Sequence, residues 1–155
     1  MATTSGLPER VELPLALEGE IAEAVDNAYD DGSPVVLGYV DADGRPRLSF
    51  RGSTQVFDRE RLAVWARNPE GGLPLVLAER PHVCLIYRNP SPRRIYVFYG
   101  RARVVTDPEV GRRVYDRSTQ AERDRDPERG GVAVLIDVDR VEGVTDDGRF
   151  LMERA

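Results

Sequence analysis

Two short runs hold the residues best suited to chemistry: Arg51-Gly52-Ser53-Thr54 and Arg67-Asn68-Pro69-Glu70-Gly71-Gly72. Each follows a segment of alternating apolar residues, RLSF before the first and LAVW before the second. If the two segments are neighbouring strands, their ends bring donors to one point. An arginine presents a planar fork that matches phosphate oxygens. Glycines let backbone N–H groups come close to an anion, and a helix starting after Gly72 adds its positive end. The chemistry implied is therefore phosphate binding. Ordinary hairpin ends with solvated arginines have the same composition, and local sequence leaves both readings open.

The bulk composition removes other function classes. The chain has 155 residues, enough for one domain with a substantial core. Its 22 basic and 27 acidic residues are dispersed, with no basic stripe and interleaved aromatics, so nucleic-acid binding has no support. A single cysteine, Cys84, excludes an internal disulfide and reads as a buried small hydrophobe in VCLIY. One cysteine and one histidine make a poor zinc site. No apolar run is long enough for a membrane span, and there is no signal-peptide pattern, so the expected location is cytoplasmic.

The elements that must position the two runs follow from periodicity and punctuation. Residues 1–13 are polar and aperiodic, a flexible N-terminal tail, and residues 14–155 read as one domain. A helix is expected from Leu17, with Ile21, Ala24, Val25 and Ala28 on one face and a stop at Asp30-Asp31-Gly32. Strands follow at Pro34–Val40, at RPRLSFR and at Arg61–Arg67, then a two-turn helix at Leu73–Glu79 and a strand at His82–Arg88. Arg93–Thr106 is unusually long for one strand, and Gly100 at its centre predicts a bulge or bend. Asp107 caps a helix with Pro108 in its first turn, Asp124–Gly131 is a charged solvated loop, and Val132–Val144 is the last core strand. Asp146-Asp147-Gly148 suggests a short final hairpin. The expected class is mainly β with short helices (α+β): about six strands in an antiparallel barrel with three helices at its ends.

This order, with RPRLSFRG, LAVWARNPEGG, PHVCLIYRN and YVFYGRARVV, resembles the pyridoxamine 5′-phosphate oxidase-like family over roughly Leu17 to Val144. The resemblance implies a six-stranded antiparallel split β-barrel that binds FMN at a homodimer interface. It places Arg51 at the family's phosphate-gripping arginine, with Gly52, Ser53 and Thr54 beside it. Trp65, Ala66 and Arg67 fall where relatives touch phosphate or flavin ring. Gly71, Gly72 and Leu73 replace a common Ser-Arg-Lys run, so two basic ligands are missing. A further lysine falls near Gln55 or Val56, and a glutamine falls at Ile95; both are absent here.

These departures keep a deazaflavin coenzyme open as an alternative to FMN, and with it a non-catalytic flavin-, haem- or ligand-binding module. The C-terminus GRFLMERA lacks the Arg and His segment of true pyridoxamine phosphate oxidases, so vitamin B6 oxidation is not expected. His82 reads as a strand-end residue and not as a base. Flavin chemistry needs no amino-acid nucleophile, which fits an oxidoreductase of unassigned small-molecule substrate. Trp65, Tyr87, Tyr96 and Tyr99 are candidates for an aromatic wall, although Tyr96 and Tyr99 take opposite faces of their strand. The run IYVFY, apolar on both faces, is the segment expected to need a second copy of the chain to cover it.

Overall fold

A computed structural model describes residues 9–155, so the expected tail falls outside the described residues up to position 8. The described residues form nine strands and four short helices. In chain order these are β1 (Val11–Pro14), α1 (Glu20–Asp26), β2 (Val36–Val40), β3 (Pro46–Phe50), β4 (Gln55–Asp58), β5 (Arg61–Ala66) and α2 (Leu73–Val76). Then come β6 (His82–Pro90), β7 (Arg93–Val105), α3 (Pro108–Arg117), α4 (Gln120–Asp124), β8 (Val132–Thr145) and β9 (Gly148–Glu153). The mainly β class holds, with nine strands where about six were expected. The sheet runs β1-β9-β8-β7-β6-β2-β3, with β4 and β5 branching from β8.

β7 and β8 are the spine. The first half of β8 pairs with β5, from Arg61↔Asp137 to Ala66↔Val132, and its second half pairs with β9. β7 runs alongside both halves, and the register shifts between Tyr99 and Gly100, where Asp139 is the extra residue on β8. The irregularity expected from Gly100 is there, with the inserted residue on the facing strand. A side chain on Gly100 would overlap the Asp137 carbonyl oxygen, so the close strand approach requires glycine. Three additional strands come from pairings too short to stand alone. β4 pairs with β5, β9 with β8, and β1 lies parallel to β9 with Val11 opposite Phe150. Val11–Leu13, read as tail, are therefore a strand.

Asp107 caps α3 as expected: its Oδ1 accepts from the N–H groups of Glu109 and Val110 at 2.8 and 3.2 Å. The main core gathers one face of each central strand, with Tyr87, Tyr96, Phe98, Leu62, Val64, Val138 and Val141 beneath α1. A second, smaller cluster holds Ala63, Trp65, Val114, Tyr115, Ala133 and Leu135 under α3. Strand alternation explains the division, since Leu62 and Val64 point one way and Ala63 and Trp65 the other.

Two expectations about individual side chains change. Cys84 is exposed, because β6 alternates between the core and an outer face that is itself apolar. A continuous apolar run thus marks two apolar faces here, not a strand buried on both. That outer face continues across β7, β6, β2 and β3 through Tyr99, Cys84, Gly38 and Leu48, which are register partners in series. Its largest members are left bare: Leu48 is 77% exposed and Phe50 73%.

Candidate functional site

The two runs meet, although the segments before them are not the neighbouring strands expected: β3 pairs with β2, and β5 with β4 and β8. β3 ends at Phe50 and β5 at Ala66, and a cleft of about 430 Å³ opens between the residues that follow. It is lined by Arg51, Ala66, Arg67, Asn68, Gly71, Gly72, Leu73 and Pro74. Six of the ten sequence-predicted site residues are in that lining.

The cations there are unsatisfied. Among the described residues neither Arg51 nor Arg67 has a carboxylate within ion-pair distance, whereas arginines such as Arg61, Arg103 and Arg154 are bridged to acids. The Arg51 guanidinium donates from Nε to Ser49 Oγ at 3.0 Å. Burial pushes its pKa below the ordinary arginine value; Tyr39 and Glu122 oppose that shift and the charge of Arg67 adds to it. An arginine stays protonated even so. A part-buried cation beside a like charge, with its terminal nitrogens unpaired, is a site that gains from an anion.

The remaining predicted residues serve as supports. Ser53 and Thr54 are buried, and their hydroxyls turn inward. Ser53 Oγ accepts from Trp65 N–H at 2.8 Å and lies 3.3 Å from Trp65 O, clamping the β3–β4 connection to β5. Thr54 Oγ1 donates to Arg51 O at 2.7 Å and closes the turn that carries Arg51. Gly52 packs against Glu122 and Tyr29, with Glu122 Oε1 only 2.6 Å from where a Cβ would sit.

Trp65 faces away from the cleft into the second cluster. Its ring packs edge-on against Tyr115, with centroids 5.3 Å apart, and its Nε1 donates to Asp126 Oδ2 at 2.9 Å. The proposed aromatic wall does not assemble. Tyr87 and Tyr96 stack on each other in the core with centroids 5.5 Å apart, and Tyr99 is on the outer face.

α2 is a single turn of four residues, shorter than the two turns expected. Gly72 starts it at φ 55°, a backbone conformation that glycine adopts without strain. Pro74 was missed as a lining residue, and Asn68, inside the second run, was not singled out there. Asn68 Oδ1 accepts from Glu70 N–H at 3.1 Å, a local turn whose signal was the Asn-Pro pair just after the strand. Tyr39 is not in that lining but approaches its edge, its hydroxyl 3.6 Å from the Cβ position of Gly72. Nothing in the β2 sequence ties it to a site that only the folded sheet assembles.

The loop expected to be merely solvated does more. Asp126 receives three N–H groups, from Trp65 Nε1, Gly130 and Gly131, each at 2.9 Å. Burial alone would push its carboxyl up, but these hydrogen bonds and the Arg67 charge outweigh that and hold it below the ordinary carboxylate range. A lowered pKa in the folded state contributes stability above the unfolded value, and that contribution is lost as pH falls through the folded one. We expect Asp126→Asn, which turns one acceptor into a donor, to red-shift the emission of the sole tryptophan. Its stability cost is about 1–2 kcal/mol, read by denaturant titration. Acidification past the ordinary aspartate range, through the lowered folded-state value, should give the same spectral change in the wild type. Unchanged emission in both would remove the latch. Among the described residues no group of His, Cys, Asp or Glu could hold a metal, and no helix is long and apolar enough to cross a membrane.

Comparison with solved structures bears on the fold. A pyridoxamine 5′-phosphate oxidase-related, FMN-binding protein of Nostoc punctiforme superposes with a TM-score of 0.71 at 15% identity, covering 90% of this chain and 91% of that one. The chain has the pyridoxamine 5′-phosphate oxidase-like fold. General Stress Protein 26 of Bacillus anthracis shares this fold at a TM-score of 0.63 and 16% identity, over 87% of this chain and 99% of that one. An FMN-binding protein of Syntrophomonas wolfei does so at 0.60 and 10%, over 81% and 87%. No protein-family model and no curated protein matches the sequence. Within the pyridoxamine 5′-phosphate oxidase-like fold, Arg51 follows β3 and Arg67 follows β5, two strands that do not pair with each other, and both residues line one cleft.

Proposed function

We propose that this protein is a homodimeric, FMN-binding oxidoreductase whose cleft between Arg51 and Arg67 holds the cofactor phosphate. The observation that carries the reading is the pair of unpaired guanidiniums on one cleft, in a fold shared with proteins described as FMN-binding. The donor set fits a phosphomonoester: two arginines, and a glycine pair that leaves the backbone approachable. Gly71, Gly72 and Leu73 give the cleft width but no charge, so Arg51 and Arg67 carry the grip. FMN, once held, would supply hydride or electron transfer to a small substrate.

The chain's own residues would orient the phosphate and fix its distance from the sheet, and Ser53 would hold the two strand ends at constant separation. The exposed apolar face through Leu48, Phe50 and Tyr99 supports a second copy as its cover, since a patch of this kind is costly in water. The same grip would accept the phosphate of a deazaflavin coenzyme.

The test is fluorescence titration with FMN, with riboflavin as the phosphate-free control and the deazaflavin coenzyme in parallel. FMN is expected to bind at least about 100-fold more tightly than riboflavin, because the loss is that of charge-assisted hydrogen bonds. Equal affinities would overturn the phosphate assignment. FMN binding without nicotinamide-linked reduction of any acceptor would leave a flavin-binding module in place of an enzyme.

A further inference from the structure

Behind the cleft lies a buried acid. Glu122, on α4, is only 7% exposed. Its Oε1 pairs with Arg125 Nη1 at 3.1 Å, and that arginine is half exposed and caps the C-terminal end of the same short helix. The carboxylate reaches the turn after β3, 2.6 Å from the Cβ position of Gly52, the residue next to Arg51. The absent side chain at Gly52 is what admits it. Glu122 thus lies within the electrostatic reach of Arg51, whose charged form it favours. A carboxylate withdrawn from water acts on neighbouring charges far more strongly than a surface one does.

We propose that Glu122 is a specificity-determining residue that sets the charge the cleft accepts, offsetting part of the Arg51 and Arg67 field so that a phosphomonoester is favoured over more highly charged anions. This rests on reading the cleft as a phosphate site. Two guanidiniums alone would draw a diphosphate more strongly than a monophosphate, since each added negative charge gains from the whole field. A fixed negative charge behind them takes more from the diphosphate than from the monophosphate. Arg125 moderates Glu122 from the solvent side, so the two residues act in opposite directions on the cleft.

The experiment is calorimetric titration of inorganic phosphate and pyrophosphate into wild type, Glu122→Gln, Glu122→Asp and Arg125→Gln, at low and high salt. Glu122→Gln keeps the shape and removes the charge. It should tighten phosphate about threefold and pyrophosphate about tenfold at low salt, with both gains shrinking toward nothing in 0.5 M salt, where the Debye length is about 4 Å. Glu122→Asp keeps the charge and should stay near wild type in the ratio of the two affinities. Arg125→Gln should weaken both ligands, pyrophosphate more.

The proposal is overturned if Glu122→Gln leaves the pyrophosphate-to-phosphate ratio unchanged, if Glu122→Asp alters that ratio as Glu122→Gln does, or if high salt leaves the gain intact. It is equally overturned if the wild type binds neither anion. Charge-dependent selectivity in a protein that does not bind FMN would remove the flavin reading and keep this one. FMN binding with an unmoved anion ratio would do the reverse.

Discussion

Arg51→Ala is expected to weaken FMN binding by at least about 100-fold while leaving the folded state almost unaffected. The binding loss follows from the loss of a planar fork able to make two charge-assisted hydrogen bonds, each worth about 1.5–3 kcal/mol in a partly desolvated setting. The fold is spared for a different reason. Arg51 has no carboxylate partner among the described residues, so its removal orphans no buried charge, and the lost contact is its hydrogen bond to Ser49. Relief of its repulsion with Arg67 offsets part of that. Arg51→Lys should be intermediate, because an ammonium keeps the charge and loses the fork. Flavin fluorescence titration beside a thermal melt checks both halves. Wild-type affinity in Arg51→Ala would move the anion site elsewhere.

The largest effect on stability is expected at Gly100. Gly100→Val should cost about 3 kcal/mol or more, read as a lowered denaturant midpoint with an unchanged slope. The position is buried, and any Cβ would meet the Asp137 carbonyl oxygen and the Val138 Cα on the facing strand. Backbone atoms cannot rotate away as a side chain can. β7 and β8 would have to separate where the register shifts, beside the Tyr99↔Arg140 pair and in the stretch that joins the two halves of β8. Gly148→Ala makes a useful contrast, because that glycine has open space around it and its cost is confined to backbone strain at φ 130°. A cost at Gly100 below that at Gly148 would show that the spine yields more easily than close strand packing allows.

The order of elements was legible because it rests on periodicity and punctuation, and the side of the strand on which a residue works was legible less often. Asp107 and Gly100 could be read directly, since a cap and a close approach each demand particular residue types. β9 was signalled only by the turn residues Asp146-Asp147-Gly148, and β1 and β4, strands of four residues, could not be read because they form only once a partner is in place. α4 is likewise short, and its fixed position depends on the nearby Tyr115, whose hydroxyl donates to Arg123 O, and on Gly52, distant in sequence, against which Glu122 packs. At the site, Arg51, Arg67 and the glycine pair were readable as anion chemistry. Trp65 was placed beside Ala66 and Arg67 by the family resemblance, which matches a whole strand end, yet adjacent strand residues face opposite ways. The alternation that sends Ala66 to the cleft sends Trp65 to the second cluster. Ser53 and Thr54 drew attention as donors, and their hydroxyls are used on backbone groups instead.

That use of Ser53 reaches further than support. Its single hydroxyl lies against both the N–H and the carbonyl of Trp65, so it works as a caliper between the turn bearing Arg51 and the strand bearing Arg67. The separation of the two backbone segments is then set by two hydrogen bonds at one oxygen, and the long side chains that start from them are left to place their guanidiniums.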